Sequence, residues 1–206
     1  MAEAVRGLYA VTPDLADTGT LLDRVEAALA GGARLLQYRN KIADAALRLA
    51  QARALAALCR RYGVPLVIND HLDLALAVAA DGLHLGGEDG SVAQARARLG
   101  PGRMLGVSCY RSMDNALNAA RLGATYVAFG GFFPSRIKPS AERTPLSLLA
   151  EAKRQQALPV VAIGGITPDN APGLIAAGAD SVAVISALFD EPDVAAAARR
   201  FSALFA

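Results

Sequence analysis

Apolar positions along this chain fall into two alternating textures. Short runs rich in Val, Ile and Leu give way to longer Ala- and Leu-rich stretches whose apolar residues recur at helical spacing. The short runs lie at 8–12, 34–39, 65–69, 82–85, 104–107, 126–130, 160–163 and 181–185. The helical patterns between them cover 21–30, 44–62, 72–79, 91–99, 113–122, a stretch opening at Pro145, 168–177 and 192–204. Glycines punctuate the helix ends at Gly31-Gly32, Gly63, Gly123 and Gly178, and Ser91 and Pro145 suit helix starts. In the second helix, Leu47, Ala50, Ala54, Leu58 and Cys59 are the apolar positions at helical spacing.

The pattern amounts to eight strand–helix units of about 25 residues each, which predicts a single α/β domain over 1–206, a compact (β/α)8 TIM barrel. Several strands are apolar without alternation, as a parallel sheet covered on both sides requires. The competing architecture is an open doubly wound sheet, which usually carries a glycine-rich turn after its first strand. Here the first strand runs into Thr12-Pro13 and the glycine pair comes after the seventh, which favours the barrel.

Composition narrows the class. Of the 206 residues, 53% are apolar and 19% charged, which excludes a disordered chain. Basic and acidic residues number 21 and 19, so no basic stripe predicts a nucleic-acid or membrane partner. Two cysteines, Cys59 and Cys109, make neither a disulfide framework nor a metal-site spacing. With no signal-peptide pattern and no long apolar run, the expectation is a soluble, cytoplasmic protein; nothing bars a homo-oligomer.

Barrel enzymes place their chemistry just after the strands, and polar residues collect there. Strand two leads into Gln37-Tyr38-Arg39-Asn40-Lys41, strand three into Asn69-Asp70, and strand four into Gly86-Gly87-Glu88-Asp89. Strand five ends at Ser108, the loop after strand six holds Ser135-Arg136-Ile137-Lys138, strand seven ends in Gly164-Gly165, and strand eight in Ile185-Ser186. Gln37, Arg39 and Lys41 share one parity in extended chain, and the two cations suit a polyanion such as diphosphate. Asp70 and Asp89 follow neighbouring strands, a pairing suited to Mg2+ bridged to phosphate oxygens. The plainer reading makes each a helix cap, Asp70 for the helix near residue 72 and Asp89 ahead of Ser91. Gly165 and Ser186 lie where these barrels commonly hold a phosphate on backbone N–H groups. His84, inside a strand, is assigned to a hydrogen-bonded core role. Two anion sites at one mouth suit two phosphorylated small molecules or one bisphosphate.

The ordered motifs resemble thiamine-phosphate synthase over nearly the whole chain. They are Leu8-Tyr9-Ala10-Val11-Thr12, Gln37-Tyr38-Arg39-Asn40-Lys41, Ile68-Asn69-Asp70, the Gly-Leu-His-Leu-Gly-Gly-Glu-Asp stretch ending at Asp89, Gly106-Val107-Ser108, Phe133-Pro134-Ser135 with Lys138, Ala162-Ile163-Gly164-Gly165-Ile166, and Ile185-Ser186-Ala187. The resemblance implies a transferase of thiamine biosynthesis. It would join the diphosphate of an aminopyrimidine methanol to hydroxyethylthiazole phosphate and release diphosphate. It implies that Gln37, Arg39, Lys41, Asn69 and Lys138 hold the diphosphate substrate, with Tyr38 and Asn40 beside them. By the same resemblance Asp70 and Asp89 hold Mg2+, Ser108 lies against the pyrimidine, and Gly165, Ile185 and Ser186 take the thiazole phosphate. Arg39, Lys41, Lys138 and Ser108 are the implied catalytic set. The family loop reads Thr-x-Thr-Lys, whereas this chain has Ser135, Arg136 and Ile137 before Lys138, so the second hydroxyl is missing. A thiazole tautomerase on the same barrel, which would need no diphosphate apparatus, and a non-catalytic ligand-binding barrel are the alternatives.

Overall fold

The structure is a computed structural model that describes residues 5–86, 90–134 and 143–206. Its strands are β1 (Gly7–Val11), β2 (Leu35–Tyr38), β3 (Leu66–Asn69), β4 (Gly82–Leu85), β5 (Met104–Tyr110), β6 (Tyr126–Gly130), β7 (Val160–Ile163) and β8 (Ser181–Val184). All neighbours pair in parallel, and β8 returns to β1, so the sheet closes on itself in sequence order. The helices between strands are α1 (Thr18–Ala30), α2 (Ala45–Tyr62), α3 (Leu72–Ala77), α4 (Val92–Leu99), α5 (Met113–Arg121), α6 (Ser147–Gln155) and α7 (Ala171–Ala176). After β8 come a short α8 (Ser186–Phe189) and α9 (Val194–Ser202). The expected α/β barrel is the observed one.

Strand parity divides the core into two shells. Tyr9, Val11, Leu35, Val67, Met104, Tyr126, Ala128, Val161 and Ala183 pack together inside the barrel. Their neighbours Leu8, Leu36, Ile68, Leu83, Leu105, Val127, Val160 and Val182 pack outward against the helices. This two-sided burial explains why the strands read as unbroken apolar runs. Interior positions also carry Gln37 and His84, both buried. Gly106 is required by space, because a Cβ there would lie 2.0 Å from Cζ of Tyr126.

The helix starts follow local chemistry. Asp17, Asp44, Ser91, Ser112 and Asp193 each accept a hydrogen bond from a first-turn backbone N–H. Gly63 closes α2 in the left-handed conformation at φ 64°.

Several boundaries depart from the sequence reading. The buried face of α2 is Gln51, Ala52, Leu55, Ala56, Leu58 and Cys59, so Ala50 faces solvent and the face is rotated from the expected one. The reason is Gln51, a polar residue that pattern reading puts outside and hydrogen bonds draw inside. Strand β5 runs three residues further than expected, to Tyr110. Helix α7 begins at Ala171 rather than 168, because Asn170 turns back to accept from the Thr167 N–H and donate to the Gly165 carbonyl. Helix α6 begins at Ser147 rather than Pro145; Leu148 and Leu149 bond back only three residues, to Pro145 and Leu146.

Candidate active site

The loop after β2 is built before it can bind anything. Gln51, fully buried on α2, accepts from the Tyr38 hydroxyl at 2.8 Å and from Asn40 Nδ2 at 2.9 Å. It donates to the Leu15 carbonyl at 3.0 Å, and Asn40 donates to the same carbonyl at 2.7 Å. Tyr38 and Asn40 therefore point their polar atoms towards α2 and the loop after β1. Arg39 and Lys41 take the other parity. Asp14 Oδ1 accepts from Arg39 Nη1 at 3.0 Å and from the Lys41 backbone N–H at 2.7 Å. One carboxylate thus sets both the guanidinium and the backbone that carries the ammonium.

Next to it, Asp70 sits at φ 61°, a left-handed conformation that Asp tolerates better than most residues. Its backbone N–H donates to the His84 carbonyl at 2.8 Å and its carboxylate accepts from Asn69 Nδ2 at 2.5 Å. The N-cap of α3 is His71, with no side-chain capping bond, so the capping explanation for Asp70 does not hold. Ala79 and Tyr110 share a positive φ, so what singles out Asp70 is its place in one cavity with Arg39 and Lys41. Arg39, Lys41, Asn69 and Asp70 line one cavity of about 220 Å3, with Tyr38, Asn40, Arg48 and His71 in its walls.

Gln37 shares its parity with Arg39 but lies deeper. It is buried in the barrel and donates to the Tyr9 hydroxyl at 2.8 Å. From there polar contacts cross the interior: Tyr9 to Tyr126 at 2.8 Å, Tyr126 to His84 Nδ1 at 3.0 Å, and His84 Nε2 to Ser108 Oγ at 2.9 Å. Burial pushes both phenols well above the ordinary tyrosine range, so both stay protonated. Ser108 is thereby attached to Gln37 across five strands.

The glycines after β7 serve the chain as well as any ligand. A Cβ on Gly164 would lie 2.6 Å from Gly131 Cα, and one on Gly165 would lie 2.3 Å from the Pro134 carbonyl oxygen. The Phe133 N–H donates to the Gly164 carbonyl at 3.0 Å, so this turn docks the loop that follows β6. Ile185 packs at the edge of the interior cluster, and Ser186 is the first residue of α8. Gly165, Ile185 and Ser186 follow β7 and β8 on the same rim of the barrel as Arg39 and Asp70, outside the cavity those two line. Asp89, Ser135, Arg136, Ile137 and Lys138 lie outside the described residues.

Among the described residues no cluster of three His, Cys, Asp or Glu side chains forms a ready-made metal cage. Asp70 fits a different kind of site. Mg2+ commonly takes one or two carboxylates and completes its shell with water and substrate phosphate oxygens. A rim carboxylate beside two cations has that character.

A family profile described as thiamine monophosphate synthase matches residues 8–188. The chain belongs to the thiamine monophosphate synthase family. A thiamine-phosphate synthase of Thiobacillus denitrificans is 58% identical over 200 residues, covering 97% of this chain and 95% of that one. A thiamine-phosphate synthase of an Azoarcus species is 57% identical over 206 residues and covers both chains completely. The solved structure of a thiamine phosphate pyrophosphorylase from Pyrococcus furiosus superposes with a TM-score of 0.87 at 34% identity, covering 98% of this chain and 96% of that one. The expectation of a transferase of thiamine biosynthesis is met by membership of the thiamine monophosphate synthase family. Among the described residues, no helix is long and apolar enough to cross a membrane.

The sequence reading missed Asp14 and Gln51, while the hydrogen-bonded core role it gave His84 is the one observed. A signal existed for Gln51, a single amide four residues before Leu55 on an otherwise apolar helix face. Asp14 carried none beyond its place just after a strand.

Proposed function

We propose that this chain is a thiamine-phosphate synthase that condenses 4-amino-2-methyl-5-(diphosphooxymethyl)pyrimidine with hydroxyethylthiazole phosphate. The observation that supports the reading best is the cavity where Arg39, Lys41, Asn69 and Asp70 meet. Two cations and an amide are a donor set for a dianionic or trianionic head group, and Asp14 holds Arg39 in place.

Bond breaking moves negative charge onto the departing diphosphate. Arg39 and Lys41, joined by Lys138, stabilise charge where it develops and cost little reorganisation at that moment. Asp70 and Asp89 would hold Mg2+, which when bound adds positive charge to the same diphosphate oxygens. Gln37 and Asn69 help hold the pyrimidine diphosphate, and Ser108 lies against the pyrimidine, whose ring delocalises the positive charge left on the methylene carbon. Gly165, Ile185 and Ser186 anchor the thiazole phosphate on the same rim, so that the thiazole nitrogen faces that carbon. Holding the two rings face to face replaces a bimolecular encounter by a local one. No proton has to move for the C–N bond to form, which suits a barrel whose interior histidine, His84, is engaged in a hydrogen-bonded network.

The direct test is to incubate the purified protein with both substrates and Mg2+ and to follow thiamine phosphate, with a chelated control. Product that depends on all three components is the expected result. No product under any metal condition would overturn the proposal.

A further inference from the structure

Four buried polar groups and the half-buried Ser108, from five strands, form one line through the barrel interior: Gln37 on β2, Tyr9 on β1, Tyr126 on β6, His84 on β4 and Ser108 on β5. Hydrocarbon packing would have been the simpler filling for that space, since each polar group there must be matched by a partner. Geometry alone allows either hydroxyl to donate in the Tyr9–Tyr126 bond. With Gln37 Nε2 donating to Tyr9 Oη, the arrangement in which every hydroxyl both accepts and donates sends the Tyr9 proton to Tyr126 Oη. Tyr126 has received that bond, so its proton goes to His84 Nδ1. An imidazole accepting at Nδ1 carries its hydrogen on Nε2, and that hydrogen goes to Ser108 Oγ. Ser108 has then filled an acceptor site from below and keeps its own O–H for the mouth. The rings hold the geometry: His84 stacks on Tyr126 at 5.6 Å between centroids, and Tyr9 meets Tyr126 edge-on at 6.0 Å.

We infer that Tyr9 and Tyr126 are positioning residues: acting through His84, they orient Ser108 as a hydrogen-bond donor towards the substrate. The inference rests on the proposed contact between Ser108 and the pyrimidine. Reversing the line would leave Ser108 presenting lone pairs alone, which suits a different face of the substrate. The amide orientation of Gln37 therefore selects which character Ser108 shows.

Two measurements test this. Nitrogen-15 NMR of the histidines in the unmodified protein reads the direction without any variant. The chain has two histidines, and His71→Asn identifies the second resonance. His84 neutral with its proton on Nε2 is expected; a proton on Nδ1 overturns the inference. Kinetics then read the coupling. Tyr126→Phe should lower kcat about tenfold with both KM values within about twofold. In a Ser108→Ala background the same change should alter kcat by less than about twofold, because its effect runs through a hydroxyl already removed. An equal loss in both backgrounds would show that Tyr126 is structural. Tyr9→Phe should repeat the pattern and serves if Tyr126→Phe does not fold. If Ser108→Ala leaves kcat unchanged, Ser108's assumed contact fails and the inference falls with it, while the family activity, assayed on the unmodified protein, still stands.

Discussion

Asp14 shows how much a single side chain can decide at this rim. Its one oxygen takes both the Arg39 guanidinium and the Lys41 N–H, so Asp14→Ala releases two parts of the cation set at once. Partly exposed charge-assisted bonds of this kind are worth about 1 kcal/mol, or about fivefold in affinity. The expected outcome is a KM for the diphosphate substrate raised about fivefold with that for thiazole phosphate unchanged, measured by steady-state kinetics with each substrate varied in turn. Gly106 acts by what it lacks. Gly106→Ala places a methyl 2.0 Å from the Tyr126 ring, which has no free space to enter. Overpacking of this kind costs about 1–3 kcal/mol, and the urea midpoint should fall accordingly.

Among the elements, α2 has two tasks: it covers the barrel and it braces the loop after β2. Leu55, Leu58 and Cys59 do the first, and Gln51 does the second. Gln51→Leu keeps the volume close to the original but strands the Tyr38 hydroxyl and one of the two Asn40 amide hydrogens, the other staying on the Leu15 carbonyl. A loss of about 2–3 kcal/mol in stability is expected by chemical denaturation, together with weaker binding of the diphosphate substrate. A variant as stable as the parent would show that the loop finds other partners. The elements themselves were legible beforehand because their signals are local. A strand or helix repeats every two or 3.6 residues, and capping residues act within one turn. The β2-to-α2 loop was legible as a polar cluster, but its bracing was not, since Gln51 lies 13 residues from Tyr38 and 36 from Leu15. The start of α7 was misjudged for a comparable reason: Pro168 reads as a first-turn residue, yet Asn170 ties the segment back to Gly165.

For the molecule as a whole, closure of the sheet leaves both cysteines sealed between barrel and helices. Cys59 and Cys109 are free and buried, and burial pushes each thiol up to about 12. A thiolate is the reactive form, so neither should react in the native state at neutral pH. The expected result with a thiol-specific chromogenic reagent is no fast labelling of the folded protein and two thiols per chain in denaturant. Rapid labelling of one thiol before unfolding would show that its helix opens independently of the barrel. Closure also brings the end of β2 to the ends of β3 on one side and, through β1, of β8 on the other, which is what puts the cavity of Arg39 and Lys41 and the residues after β7 and β8 on one rim.

The amino-acid sequence alone determined the eightfold alternation, the closed α/β architecture it favours, and the strand ends where Arg39, Lys41, Asn69, Asp70 and Gly165 stand. Those are short-range properties, set by backbone periodicity and by the rule that polar groups avoid a two-sided core. Tertiary structure decided which polar groups touch. Tyr9 and Tyr126 meet across 117 residues, and His84 reaches Tyr126 across 42 and Ser108 across 24. No local pattern encodes such contacts, because they arise when eight strands close around a common axis and their inward side chains must share one small interior.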